Sequence, residues 1–210
     1  MDDAAARLKL AFPAIFDDAV YWENPAEYTR SGRTNPVWCD DRDLIGTVRL
    51  AKALECPSVQ VMALYHCCRL EAGVLFDGVQ YNDAKVQFSY DELRLCAFAT
   101  DKLYRYNTHV MNALTEMHSS PADIPRVIPC RTSADCMNAL GQLMASGLQN
   151  GQFSSPCALD SLDEWIDENP EKMCFGCREA LKGVINERRR EVFDDLGALF
   201  GVEAWPPAEF

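Results

Sequence analysis

Several features of membrane and secreted proteins are missing from this 210-residue sequence. No uninterrupted apolar run approaches the roughly 20 residues that a transmembrane helix needs. The amino terminus, MDDAAARLKL, is acidic where a secretion signal would be basic. These absences predict a soluble, intracellular protein with no membrane partner, and they do not favour the cytoplasm over the nucleus.

Familiar catalytic motifs are missing as well. The sequence has no Gly-x-Ser-x-Gly elbow, no Gly-x-x-x-x-Gly-Lys phosphate loop, no dinucleotide-binding glycine fingerprint and no His-Glu-x-x-His. Histidine is scarce, and His66 cannot serve its neighbour Cys67 as a base, because adjacent helical residues point in different directions. We therefore predict no catalytic residue, no cofactor-binding residue and no enzymatic activity.

Basic side chains are outnumbered. The 32 acidic and 20 basic residues give a formal net charge of -12, which repels phosphate backbones and anionic lipids. We expect no nucleic-acid partner. The three arginines in NERRRE have acidic neighbours, so we predict that they belong to a solvated helix face.

Helical periodicity is present along most of the chain. Apolar residues at three- and four-residue steps predict a first helix near the amino terminus and further helices over residues 40–56, 57–68, 89–118, 133–149, 159–168 and 178–196. Ser89 and Glu92 have the spacing of a capping box, and a turn signal at Asn82 and Asp83 predicts one hairpin. The expected fold is all-α, a multi-helix globular bundle with one small β-hairpin near residues 79–88.

This pattern divides the chain into three regions. Residues 1–39 contain the first helix and an aromatic loop, and residues 40–118 form a helical core with the hairpin. Residues 119–210 form a C-terminal helical region with two cysteine pairs, which we expect to pack as one unit with residues 40–118. Proline, glycine and serine are frequent between the predicted helices of this last region.

The ten cysteines are the main chemical feature. In a reducing compartment most should be free thiols or metal ligands. Cys174 and Cys177 have the two-residue gap of a zinc half-site, whereas Cys130 and Cys136 are separated by a looser gap of five residues. We predict that these four bind a structural Zn²⁺.

Other interpretations of these thiols stay open. Cys136 and Cys177 also continue apolar helical stripes, so the four could be buried free thiols. A redox pair of Cys174 with Cys177 is a further alternative. Cys157 or His118 could replace one of the four ligands.

The order of motifs resembles a known family. RLKLAFPAIFDD, DLIGTVRLAKALECPSVQVMALYHCCRL, LFDGVQ, FSYDELRLCAFATDKL, the cysteine pairs and REVFDDLGALFGVEAWPPAEF follow one another as in fungal BTB/POZ-domain-containing proteins, in the region after the BTB fold. The resemblance implies a helix pair after the BTB domain and cysteines near the four positions above. The BTB fold would precede residue 1, so its dimerisation and cullin binding do not transfer to this chain.

Two function classes follow. The first is a non-catalytic protein–protein interaction module whose partners are other proteins and whose cysteine site is structural. The alternative is a thiol- or metal-dependent enzyme that uses Cys174 and Cys177 with a carboxylate such as Glu179. For the closing segment FGVEAWPPAEF, the sequence leaves two expectations: a docking patch, or Phe200 and Trp205 folded back onto the core.

Overall fold

The computed structural model describes residues 2–12, 41–81, 84–119, 130, 133–151, 153–160, 162–167, 173–203 and 205. These residues form eight helices and one two-stranded antiparallel sheet. In chain order the elements are α1 (Asp2–Ala11), α2 (Asp41–Ala53), α3 (Pro57–Cys67), α4 (Ala72–Asp77), β1 (Val79–Tyr81), β2 (Ala84–Val86), α5 (Tyr90–Ser119), α6 (Ser133–Gln149), α7 (Asp163–Asp167) and α8 (Phe175–Phe200). The predicted all-α class with a small hairpin is confirmed.

The chain divides into two compact units. Unit 1 holds the described residues of Met1–Lys102 and Phe193–Phe210, and unit 2 holds those of Leu103–Val192. The division of the sequence at residues 39 and 118 stays a prediction, because its first boundary lies outside the described residues and its second lies at their edge. The predicted aromatic loop before residue 40 also lies outside them.

In unit 1, α2 and α3 meet at a tight corner. Glu55 follows α2 with a left-handed φ of 52°, and the Cys56 amide donates to the Ala51 carbonyl at 2.9 Å. This hydrogen bond is typical of a helix end closed by a left-handed residue. Pro57 occupies the first turn of α3, where its missing N–H costs nothing. The predicted boundary at this proline is confirmed.

Helix α3 is buried around most of its circumference. Nine of its 11 residues are buried, whereas apolar residues at three- and four-residue steps predict burial of one face only. Both α1 and α2 pack against α3, so more than one of its sides is removed from water. Burial on several sides makes α3 the centre of unit 1.

A short helix that is not among the predicted helices follows α3. The segment EAGVLFDG contains α4, which ends at Gly78 with a φ of 76°. The hairpin follows directly, with Val79 opposite Val86. The turn predicted at Asn82 and Asp83 lies outside the described residues.

The long helix α5 begins at the predicted capping box. The Ser89 amide donates to Glu92 Oε2 at 2.8 Å, and the Glu92 amide donates to Ser89 Oγ at 3.3 Å. Glu92 also accepts a hydrogen bond from Lys52 Nζ at 2.7 Å. Burial opposes the charge of Glu92, but the bonds from Lys52 and Ser89 lower its pKa. The carboxylate therefore stabilises the start of α5 and links it to α2.

The end of the described chain folds back onto unit 1. Phe200 and Trp205 are buried, and Trp205 Nε1 donates to the Phe193 carbonyl at 2.6 Å. The ring of Trp205 lies 4.7 Å from that of Phe193, and a Cβ at Gly197 would collide with Trp205. Of the two expectations for this segment, the folded-back arrangement is correct for Phe200 and Trp205, and the docking patch is wrong for them.

Unit 2 has its own core, formed by helices α5 to α8 and the segment before α7. Its buried members are Val110, Leu114, Met117, Cys136, Ala139, Leu140, Leu143, Phe153, Leu162, Trp165, Ile166, Met173, Cys177, Leu181 and Ile185. A Cβ at Gly147 would lie 2.6 Å from Phe153 and 2.8 Å from Trp165. Glycine at this position therefore lets α6 pack closely against the edge-to-face pair of these rings.

Candidate metal centre

The four cysteines predicted as ligands come from two helix starts in unit 2. Cys130 lies shortly before α6 and Cys136 lies in its first turn, while Cys174 directly precedes α8 and Cys177 lies in its first turn. The Cys177 and Arg178 amides both donate to the Cys174 carbonyl at 3.1 Å, so Cys174 is the residue that caps the start of α8. This cap explains why α8 starts at Phe175, before the predicted Arg178.

The four sulfurs lie together. All lie within 4.8 Å of one another, with 3.6 Å between the sulfurs of Cys130 and Cys136 and 3.8 Å between those of Cys174 and Cys130. A tetrahedral ion with metal–sulfur bonds of about 2.3 Å places its sulfurs about 3.8 Å apart. A disulfide would bring two sulfurs to about 2.05 Å, and none of these four cysteines is in a disulfide. The spacing therefore suits a shared metal ion.

The surroundings of the cluster favour thiolates once a cation is present. The amide of Cys174 donates to Cys136 Sγ at 3.3 Å, and the starts of α6 and α8 place positive dipole ends beside the sulfurs. Burial is the largest cause that raises the pKa of the Cys177 thiol, and hydrogen bonds to Cys130 and Cys174 add to it. Without a cation this thiol stays protonated at neutral pH, so metal binding would release protons.

Burial within the cluster is uneven. Cys136 and Cys177 are 0% and 4% exposed and belong to the unit 2 core. Cys130 and Cys174 are half-buried and pack against that core. The apolar stripes noted in the sequence are therefore present, and the same side chains also complete the sulfur cluster.

Neither proposed substitute ligand belongs to the group of four. His118 is exposed at the end of α5, where it borders Gly141. Cys157 lines a separate cavity of about 270 Å³ in unit 2. Glu179, the carboxylate suggested for an enzyme, has a half-exposed side chain that lies 3.9 Å from Lys182 Nζ.

The burial of one charged side chain in unit 2 was not predicted from the sequence. Arg189, expected on a solvated face, is 1% exposed and lines the cavity beside Cys157. Its guanidinium donates to Asn186 Oδ1 at 2.9 Å and to the Leu159 carbonyl. The segment before α7 brings this carbonyl to the helix, and nothing in the NERRRE pattern indicates that contact.

Comparisons with known proteins identify no relative: no family model, no curated protein and no solved structure matches this chain. Among the described residues, no helix combines the length and the apolar character needed to cross a bilayer.

Proposed function

We propose that this protein is a helical protein–protein interaction module whose unit 2 is stabilised by a structural Zn²⁺ bound to Cys130, Cys136, Cys174 and Cys177. The convergence of four sulfurs within 4.8 Å carries the metal-site part of the proposal. The resemblance of the sequence to the region after the BTB fold supports the same function.

Zinc is the ion that best suits this donor set. Four thiolates in a tetrahedron are typical of structural zinc, and iron is the main competitor for such a site. The ligands come from two helix starts that are far apart in sequence, so the ion would hold α6 and α8 together. Because such a site does not exist in an unfolded chain, its binding free energy contributes directly to folding.

A structural role is favoured over catalysis by the number of ligands. A catalytic zinc keeps one coordination position for water or substrate, while a structural zinc has four protein ligands. Here four sulfurs are available, and two of them are sealed in the core. A catalytic thiol would also need a solvent-reachable cleft, which the burial of Cys177 does not provide.

The interaction surface that we propose lies on the first part of α5. Tyr90 and Phe98 are 79% and 61% exposed, and the Arg94 guanidinium lies 5.6 Å from the Phe98 ring centroid. Tyr90, Arg94 and Phe98 lie at four-residue spacing and form an exposed stripe of two aromatic rings and one guanidinium. Aromatic rings and arginine are enriched at interface hot spots. The partner that fits is a protein with apolar side chains beside a carboxylate, which would pair with Arg94.

The metal is tested on protein purified without affinity-tag metals. Elemental analysis and native mass spectrometry should find one zinc per chain in the wild type and loss of that zinc in Cys136→Ser and Cys177→Ser. Cys96→Ser, which alters an equally buried thiol of unit 1, is the matched control and should keep the ion. Metal-free wild type, or iron in place of zinc, would contradict the proposal.

The stripe is tested by quantitative co-purification from the source cells after cross-linking. The amount of partner recovered with the Tyr90→Ala, Phe98→Ala double variant should be at least roughly tenfold lower than with the wild type. The reason is that truncation of a hot-spot side chain costs about 2 kcal/mol or more of binding free energy. Leu148→Ala removes another exposed apolar side chain and should change nothing. Equal recovery by the double variant and the wild type would rule out this surface.

A further inference from the structure

The two half-buried cysteines of the cluster differ from the two buried ones in more than exposure. Cys130 and Cys174 lie outside the helices, whereas Cys136 and Cys177 lie inside α6 and α8. A small oxidant from solvent therefore reaches Cys130 or Cys174 first. Cys136 and Cys177 are shielded by the unit 2 core.

The two accessible sulfurs are also close enough to react with each other. Their separation is 3.8 Å, and a disulfide needs about 2.05 Å. Side-chain rotation can supply most of this approach, because neither residue is held within a helix. Cys130 lies 3.6 Å from Cys136 as well, but that partner is buried and accepts the Cys174 amide.

We propose that this site is peroxide-sensitive: hydrogen peroxide joins Cys130 to Cys174 in a disulfide and releases the metal ion. This inference rests on the proposed zinc site and describes its regulation. One of the two thiolates attacks peroxide, which forms a sulfenic acid and hydroxide. The second thiolate attacks the sulfenic sulfur and expels another hydroxide. Two electrons pass from sulfur to peroxide, whose O–O bond breaks, and one S–S bond forms.

The loss of two ligands explains why the ion leaves. Cys136 and Cys177 remain as thiols, and two ligands cannot complete a tetrahedral zinc site. The disulfide then replaces the ion as the link between the start of α8 and the segment before α6. A thiol reductant together with zinc restores the original site, so the change is reversible.

The experiment uses the intact, zinc-loaded protein. Zinc release after addition of hydrogen peroxide is followed with a colorimetric chelator, and disulfides are located by non-reducing peptide mapping. We expect loss of one zinc per chain together with one Cys130–Cys174 linkage, and recovery of both thiols and zinc after treatment with dithiothreitol and zinc. A dominant Cys130–Cys136 linkage, or overoxidation without a disulfide, would overturn the inference.

Two variants test whether zinc release depends on the accessible thiols of the cluster or on a thiol elsewhere. Cys130→His keeps a zinc ligand but removes one reacting sulfur, so peroxide should release its zinc at least roughly tenfold more slowly than in the wild type. Cys157→Ser removes a half-buried thiol outside the cluster and should release zinc at the wild-type rate. If Cys130→His does not hold zinc, the peptide map of the wild type decides alone.

The proposed function and this inference fail in different ways. Wild-type protein that contains no zinc contradicts the proposed site. Zinc that stays bound under peroxide, with no disulfide between Cys130 and Cys174, contradicts only the regulation.

Discussion

The two units use cysteine in different ways. The described residues of unit 1 include Cys56, Cys67, Cys68 and Cys96, all buried. Unit 2 also buries cysteines, but four of its thiols share one place. The difference shows that neither the number of cysteines nor their burial predicts whether their sulfurs form a cluster.

Position in the helices separates the two sets. In unit 1, Cys67 and Cys68 are neighbours at the end of α3, and neighbouring side chains diverge. The Cys68 thiol donates to the Cys96 carbonyl at 3.7 Å, and its interactions with Cys96, followed by burial, raise its pKa. It is therefore a neutral core group. In unit 2 the four clustered cysteines stand at helix starts, where amides and dipoles favour thiolate once a cation is present.

The two units also begin their helices with different chemistry. At the start of α5, in unit 1, the backbone amides donate to side-chain oxygens of Ser89 and Glu92. Helix α8 begins in unit 2 beside Cys174, whose amide donates to the sulfur of Cys136. If a metal binds that sulfur, the stability of this helix start depends on the metal, whereas the start of α5 is independent of it.

The largest expected effect comes from metal removal. A strong chelator should lower the opening free energy of α6 and of the first turns of α8 by more than about 3 kcal/mol, because structural zinc sites contribute on the order of 10 kcal/mol to folding. Hydrogen exchange followed by mass spectrometry measures this for each helix.

Helices α2 and α3 of unit 1 serve as the internal reference in that experiment. Their exchange should change much less, since α2 contains no cysteine and Cys67 of α3 binds no ion in this proposal. Equal acceleration in both units, or none in α6, would remove the distinction between them.

A smaller effect should come from His66 of unit 1, whose burial should make the stability of the protein depend on pH. Burial lowers the pKa of His66 to about 3, and its ring lies 6.2 Å from that of Phe12. The His66 imidazole therefore stays neutral in the folded protein, whereas in the unfolded chain it gains a proton below about pH 6.5. Stability is greatest above that pH and falls as the pH decreases toward 3.

Between pH 7 and pH 5 the wild type should lose about 2 kcal/mol more unfolding free energy than His66→Gln, as measured by urea denaturation. Protonation of the metal site affects both proteins and cancels in the difference. His118→Gln, an exposed control, should keep the wild-type pH dependence. Parallel pH profiles for wild type and His66→Gln would show that folding does not lower the pKa of His66.

The local features of the fold were predictable because they depend on neighbouring residues. The corner at Pro57 and the capping box of Ser89 with Glu92 need only a few adjacent side chains. The burial of α3 on several sides and of Arg189 was not predictable, because each depends on segments distant in sequence. Helix α4 was missed because six residues give too little periodicity.

The sequence by itself determined the helical class, most helix boundaries and the four cysteines that are candidate metal ligands, since these follow from periodicity and short-range spacing. It could not separate a metal site from buried free thiols, because both place cysteine on an apolar stripe. Only the tertiary structure decided that Cys130 and Cys136 lie beside Cys174 and Cys177. The packing of α6 and α8 in one core brings together residues about 40 positions apart, and spacing along the chain does not encode that distance.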